Sequence, residues 1–143
     1  MNKEKKLEYA LFTAWAASLT AMLGSLYFSE IMKYEPCTLC WYQRILMYPF
    51  VVLLGIAVIR KDYLIARYSL PLAIIGSAIS LYHYSMQKIP ALSGGGAACG
   101  RIPCTGQYIN WLGFITIPFL ALTAFTIIIV CSIILIRNFK EAK

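Results

Sequence analysis

Apolar residues in this chain come in long runs rather than in alternation. Ala10 to Ser29, Trp41 to Ile59, Tyr68 to Met86 and Ile109 to Ile136 carry no charged side chain except Arg44, close to the start of the second run. At 1.5 Å rise per residue, a helix needs about 20 such residues to cross a hydrocarbon core of about 30 Å. The pattern therefore predicts an all-α membrane protein, a bundle of four transmembrane helices over residues 10–29, 41–59, 68–86 and 109–136, within a single domain over 1–143. The fourth run exceeds one crossing, so it is expected to tilt or to bend at Pro118. Connections are short except for one loop over residues 87–108, where exposed chemistry can sit.

Composition agrees: 60% of residues are hydrophobic and 13% charged, whereas soluble domains carry roughly a quarter charged residues. Basic residues accumulate in cytoplasmic loops. Lys3, Lys5 and Lys6 precede the first run, Arg60, Lys61 and Arg67 lie between the second and third, and Arg137, Lys140 and Lys143 follow the fourth. Lys33, Lys88 and Arg101 fall on the other side, with Arg44 just inside it. Both termini are expected to be cytoplasmic and the 87–108 loop external. This bias accounts for the net charge of +7, so the charge gives no argument for nucleic acid; the expected environment is a lipid bilayer. The first run is longer than a signal-peptide core and lacks a small-x-small cleavage pattern, so it is expected to stay as a span.

Four of the five cysteines form two close pairs, and the topology puts both pairs on the external side. Cys37-Thr-Leu-Cys40 sits where the second span begins, behind Pro36, which suits a helix entry because it has no N–H to leave unpaired. Two thiols one turn apart can bridge, and a helix N-terminus stabilises a thiolate at Cys37 or Cys40. Arg44 lies four residues after Cys40, about one turn deeper on the same face. A cation there either snorkels outward or pairs with something. One such partner is the carbonyl oxygen of a quinone, whose reduction develops negative charge beside the thiolate. The second pair, Cys99-Gly-Arg-Ile-Pro-Cys104, follows Ser93-Gly94-Gly95-Gly96-Ala97-Ala98. That stretch reads either as a plain linker or as slack letting Cys99 reach both a partner and the first pair. His83, between Tyr82 and Tyr84, reads as a structural interfacial residue or as a quinone-site residue. Cys131 reads as a small buried apolar residue, and Trp41, Trp111 and the tyrosines as an aromatic belt.

The run Cys37-Thr-Leu-Cys40-Trp-Tyr-Gln-Arg44, four spans, and a cysteine pair between spans three and four resemble the DsbB disulfide-forming oxidoreductases, specifically their short BdbC-type members. The resemblance implies a quinone-dependent protein-disulfide oxidoreductase of the bacterial plasma membrane. It would reoxidise a thioredoxin-like extracytoplasmic thiol oxidase of the DsbA or BdbD type and pass electrons to menaquinone or ubiquinone in the membrane pool; the relay itself is established for the family. By the same resemblance Cys99 and Cys104 exchange with the partner, with Cys99 forming the mixed disulfide and Cys104 connecting through Cys37. Cys40 is the thiolate beside the quinone, and Arg44 is the quinone contact. In the better-known Gram-negative members the loop cysteines are far apart, whereas four residues separate them here. A short ring suits a labile, oxidising bridge. It leaves open which of the two is attacked first.

Two other classes fit part of the pattern. Four thiolates can hold zinc or copper in a tetrahedral site of a metal-binding or transport protein, although an oxidising exterior favours disulfides. A purely structural bundle with two disulfides leaves Arg44 unexplained.

Overall fold

The computed structural model describes residues 2–31, 33, 38–88 and 117–142, and the regular elements among them are helices with no strand. Helix α1 covers Lys3–Leu26 and continues into a π-helical turn at Tyr27–Ile31; α2 covers Thr38–Arg60, α3 Ala66–Lys88 and α4 Ile117–Ala142. Four stretches are long and apolar enough to cross a membrane, Lys3–Ile31, Cys40–Arg60, Tyr63–Ser85 and Phe119–Glu141, as the four runs predicted. The first begins seven residues earlier than expected, at Lys3 rather than Ala10. Lysine and glutamate are good helix formers, so the helix propagates past the apolar boundary. Of the fourth run, residues 109–116 lie outside the described residues, and Pro118 stands second in α4.

The helices form a ring in which each packs on its neighbour in sequence and α4 closes back onto α1, with the most extensive packing along α3–α4 and α1–α4. The core is shared by all four: Leu11 and Ala14 from α1, Phe50 and Leu54 from α2, Ala73 from α3, and Phe125, Ile128 and Leu135 from α4. Phe50 and Phe125 meet edge to face across it, with centroids 6.5 Å apart. Gly76 lets α3 approach α4: a Cβ there would lie 2.4 Å from the Phe125 ring. Small residues permit such approach between membrane helices, where packing replaces the hydrophobic effect as the force between helices. Polar pairs tie the same interfaces. Ser69 and Ser132 hydroxyls are 3.0 Å apart between α3 and α4, and Trp15 Nε1 donates to the Val51 carbonyl at 3.1 Å between α1 and α2. Cys131 is buried, as expected of a small apolar residue. Ile45, Val52, Ile59, Ile74 and Leu81 point outward, where lipid accepts them.

The α2–α3 connection is tight. Lys61 takes a left-handed conformation (φ 54°), and the Asp62 N–H returns to the Ala57 carbonyl at 3.0 Å, closing α2 in a Schellman-type cap. Asp62 then accepts from the Leu64 N–H to start a short 3₁₀ turn at Tyr63–Ile65. Lys61 also reaches Glu8 of α1 at 2.5 Å. That bond and the carboxylate charge raise the Lys61 pKa.

Candidate functional site: a cysteine at the head of an apolar cavity

Cys40 lies in the first turn of α2, where backbone N–H groups have no intrahelical partner and the positive end of the helix dipole favours an anion. It is partly buried. Arg44, one turn on, pairs with α1: its Nη2 donates to the Ser25 carbonyl at 3.1 Å and to the Ser29 hydroxyl. The Ser29 hydroxyl also donates to the Ser25 carbonyl, at 3.1 Å. Both serines sit at the end of α1, where the π-helical turn widens the backbone ladder. The guanidinium further lies 5.4 Å from the centroid of the Trp41 ring, a cation–π distance. Both recorded bonds leave from one nitrogen. A guanidinium has five N–H donors, so Nε and Nη1 remain, among the described residues, for whatever lies in front of them.

Arg44 also lines a cavity of about 670 Å³ between α1, α2 and α4, with Cys40 and Gln43 beside it at one end. Its α1 wall is a stripe of small residues, Thr13, Ala16, Ala17, Thr20, Ala21 and Gly24. These recur at helical spacing, so they share one face. That wall runs about 16 Å along the helix axis, at 1.5 Å per residue. Met47 and Tyr48 continue the α2 wall, and Leu120, Ala121, Ala124 and Phe125 form that of α4. The Tyr48 hydroxyl is 3.4 Å from that of Ser25. One polar, cationic end and a long apolar body fit a lipid-soluble ring with an apolar tail. The donor set therefore fits the quinone that the resemblance implies.

His83 approaches from the other side. It is buried on α3, its Nδ1 3.9 Å from the Cys40 sulfur and 3.2 Å from Gln43 Nε2. Among the described residues no α3 side chain is in the cavity lining, and His83 reaches the cysteine from behind it. Of the expected site residues the structure brings together Cys40, Arg44 and His83. Cys37, Cys99 and Cys104 lie outside the described residues, as do Pro36 and the 93–98 stretch. Among the described residues no three His, Cys, Asp or Glu side chains come together as a metal group. Sequence reasoning passed over Gln43, Ser25, Ser29 and the α1 stripe. Gln43 stands three residues after Cys40, and that spacing was the available signal.

Four spans, with a cysteine and an arginine at the head of one and a histidine facing them from another, are the setting, and the comparisons supply the class, a membrane disulfide-forming oxidoreductase. The chain belongs to the DsbB family: the family described as "Disulfide bond formation protein DsbB" matches residues 7–135. It is 72% identical over 138 residues to "Probable disulfide formation protein C 1" of Bacillus cereus, covering 96% of this chain and 99% of that one. It is 60% identical over 120 residues to "Disulfide bond formation protein C" of Bacillus subtilis, covering 84% and 87%. Similarity also reaches Halalkalibacterium halodurans, whose "Probable disulfide formation protein C" is 62% identical over 134 residues, covering 94% and 98%. No solved structure matches the chain.

Proposed function

We propose that this protein reoxidises a thioredoxin-like extracytoplasmic thiol oxidase and delivers the electron pair to a membrane quinone. The observation that carries the reading is the cavity: Cys40 and Arg44 share its polar end, and the walls beyond are mostly apolar. Both termini are cytoplasmic and the redox cysteines extracytoplasmic, on the basic-residue bias. The partner's thiolate attacks the Cys99–Cys104 bridge. Exchange through Cys104 and Cys37 then moves the disulfide to the partner and the reduced state to Cys37 and Cys40. Such exchange needs only a thiolate, a disulfide and access. A quinone bound in the cavity supplies the two-electron acceptor. Cys40 presents its sulfur there, stabilised by the α2 N-terminus, and the Nε and Nη1 donors of Arg44 stabilise negative charge developing in front of it. Ser25 and Ser29 hold Arg44 at that depth, and the apolar walls exclude water.

The test mixes purified protein with an excess of reduced thioredoxin-like oxidase and either menaquinone or ubiquinone in detergent. Catalytic loss of quinone absorbance that needs both protein and oxidase is expected. Stoichiometric bound zinc without turnover would instead favour the metal-binding reading.

A further inference from the structure

We propose that the end of the bundle carrying both termini is a docking belt for anionic phospholipid, built from one exposed cation on each helix: Lys6, Arg60, Arg67 and Arg137.

These four side chains sit where apolar sequence gives way to polar. Lys6 lies one turn before Ala10, where the first apolar run begins. Arg60 follows Ile59, Arg67 precedes Tyr68 and Arg137 follows Ile136, the limits of the other three runs. All four are exposed. They also share a level across the bundle. Lys61, next to Arg60, bonds to Glu8 of α1, and Tyr63, at the turn into α3, packs on Phe139 of α4 with ring centroids 6.5 Å apart. Each of the four cations lies within four residues of one of those contacts, about 6 Å along a helix.

The carboxylates of this end are mostly engaged at the α2–α3 turn. Among the described residues the only ion pair is Lys61–Glu8. Glu4 lies one turn before Glu8 on the same face and adds its charge at Lys61, while Asp62 accepts from the Leu64 N–H. Glu141, one turn beyond Arg137, is exposed and joins no ion pair among the described residues. Lys3, Lys5 and Lys140 add positive charge farther out. The surplus therefore lies around the outside of the bundle. At the opposite end Arg44 is turned onto α1, which leaves Lys33 and Lys88 among the described residues.

The surface next to each cation selects a lipid over a soluble anion. One turn toward the apolar spans stands an exposed, uncharged side chain in every case: Tyr9, Ile56, Pro71 and Ile133. A phosphate diester carried on acyl chains meets both features at once, phosphate against the cation and chain against the apolar side chain. Three of the four cations are arginine, whose planar fork suits two phosphate oxygens. A free phosphate meets only the cation, and a zwitterionic lipid brings a positive charge of its own to the belt. Basic groups at the membrane surface attract anionic lipid in this way.

The test reconstitutes the full-length protein in bilayers of zwitterionic lipid with a trace of spin-labelled phosphatidylglycerol or phosphatidylcholine of identical chains. Electron paramagnetic resonance reads the fraction of each label immobilised by the protein. The parent is expected to favour phosphatidylglycerol about threefold or more, and the preference should shrink as salt rises from about 0.05 M to about 0.5 M. Arg60→Gln, Arg67→Gln and Arg137→Gln combined should lose about half of it or more, whereas Lys33→Gln with Lys88→Gln should keep it. Equal immobilisation of the two lipids by the parent, or the same loss in both variants, would overturn the proposal. Should the triple variant not fold, Arg67→Gln with Arg137→Gln is read in its place, and a parental preference there removes the belt. Since no quinone or partner oxidase is present, the result stands or falls separately from the proposed function.

Discussion

Gly76→Ala is the sharpest probe of how this bundle is packed. The added Cβ would lie 2.4 and 2.5 Å from two atoms of the Phe125 ring and 2.8 Å from a third. Contact at 3.4 Å or more requires the ring to retreat by about 1 Å. Phe125 is fully buried and meets Phe50 edge to face, so the ring can retreat only toward the cavity that it helps to line, giving up part of its packing. Overpacking of this kind costs about 1–3 kcal/mol, while replacing a helical glycine by alanine returns about 1 kcal/mol. The single variant is thus expected to be neutral to about 2 kcal/mol less stable. In a Phe125→Leu background the clash is gone, and the same substitution should stabilise by about 1 kcal/mol. Unfolding of the four proteins in mixed detergent, followed by circular dichroism, gives the cycle. A coupling of about 1–3 kcal/mol is expected. A coupling near zero, with Gly76→Ala stabilising in both backgrounds, would refute the claim that Gly76 exists to admit Phe125.

Other predictions bear on the site and the turn. Arg44→Ala should raise the quinone concentration needed for half-maximal turnover roughly tenfold to a hundredfold without altering disulfide exchange with the partner, as read by trapping the mixed disulfide. Ala121→Leu, which puts bulk into the cavity from α4, should weaken quinone use about tenfold for each 1.4 kcal/mol of crowding, again sparing exchange. Lys61→Gly should be more stable than Lys61→Ala by about 1 kcal/mol in detergent unfolding, because only glycine takes the left-handed conformation without strain. The Lys61–Glu8 pair raises the lysine pKa. Its contribution is therefore complete below the ordinary lysine value of about 10.4 and is lost as pH rises through the higher folded-state value; Lys61→Ala should lose this pH dependence.

The spans were legible because twenty apolar residues have few other uses, and Arg44 was placed correctly relative to Cys40 because spacing within one helix fixes the shared face. His83 was harder. Its contact with Cys40 joins residues 43 apart in sequence, and a lone histidine in an apolar run carries no mark of what the facing helix will bring. The small residues of α1 had the spacing of a close-packed face, yet they line a cavity. Periodicity says which side chains share a face; it does not say whether the opposite helices fill the space, which depends on how far Met47, Leu120 and Phe125 reach. The lysines before the first span misled only about its length, since an apolar boundary is not a helix boundary.

The central claim is that Cys40 delivers the electron pair into the cavity. Pre-reduced protein, mixed with quinone in the absence of any partner oxidase and followed by quinone absorbance, tests it most directly. The parent should consume about two quinones per chain, one as Cys37 and Cys40 are oxidised and one as Cys99 and Cys104 pass their electrons through that pair, and Cys40→Ser should consume none. Quinone loss at the parental rate in Cys40→Ser would contradict the account.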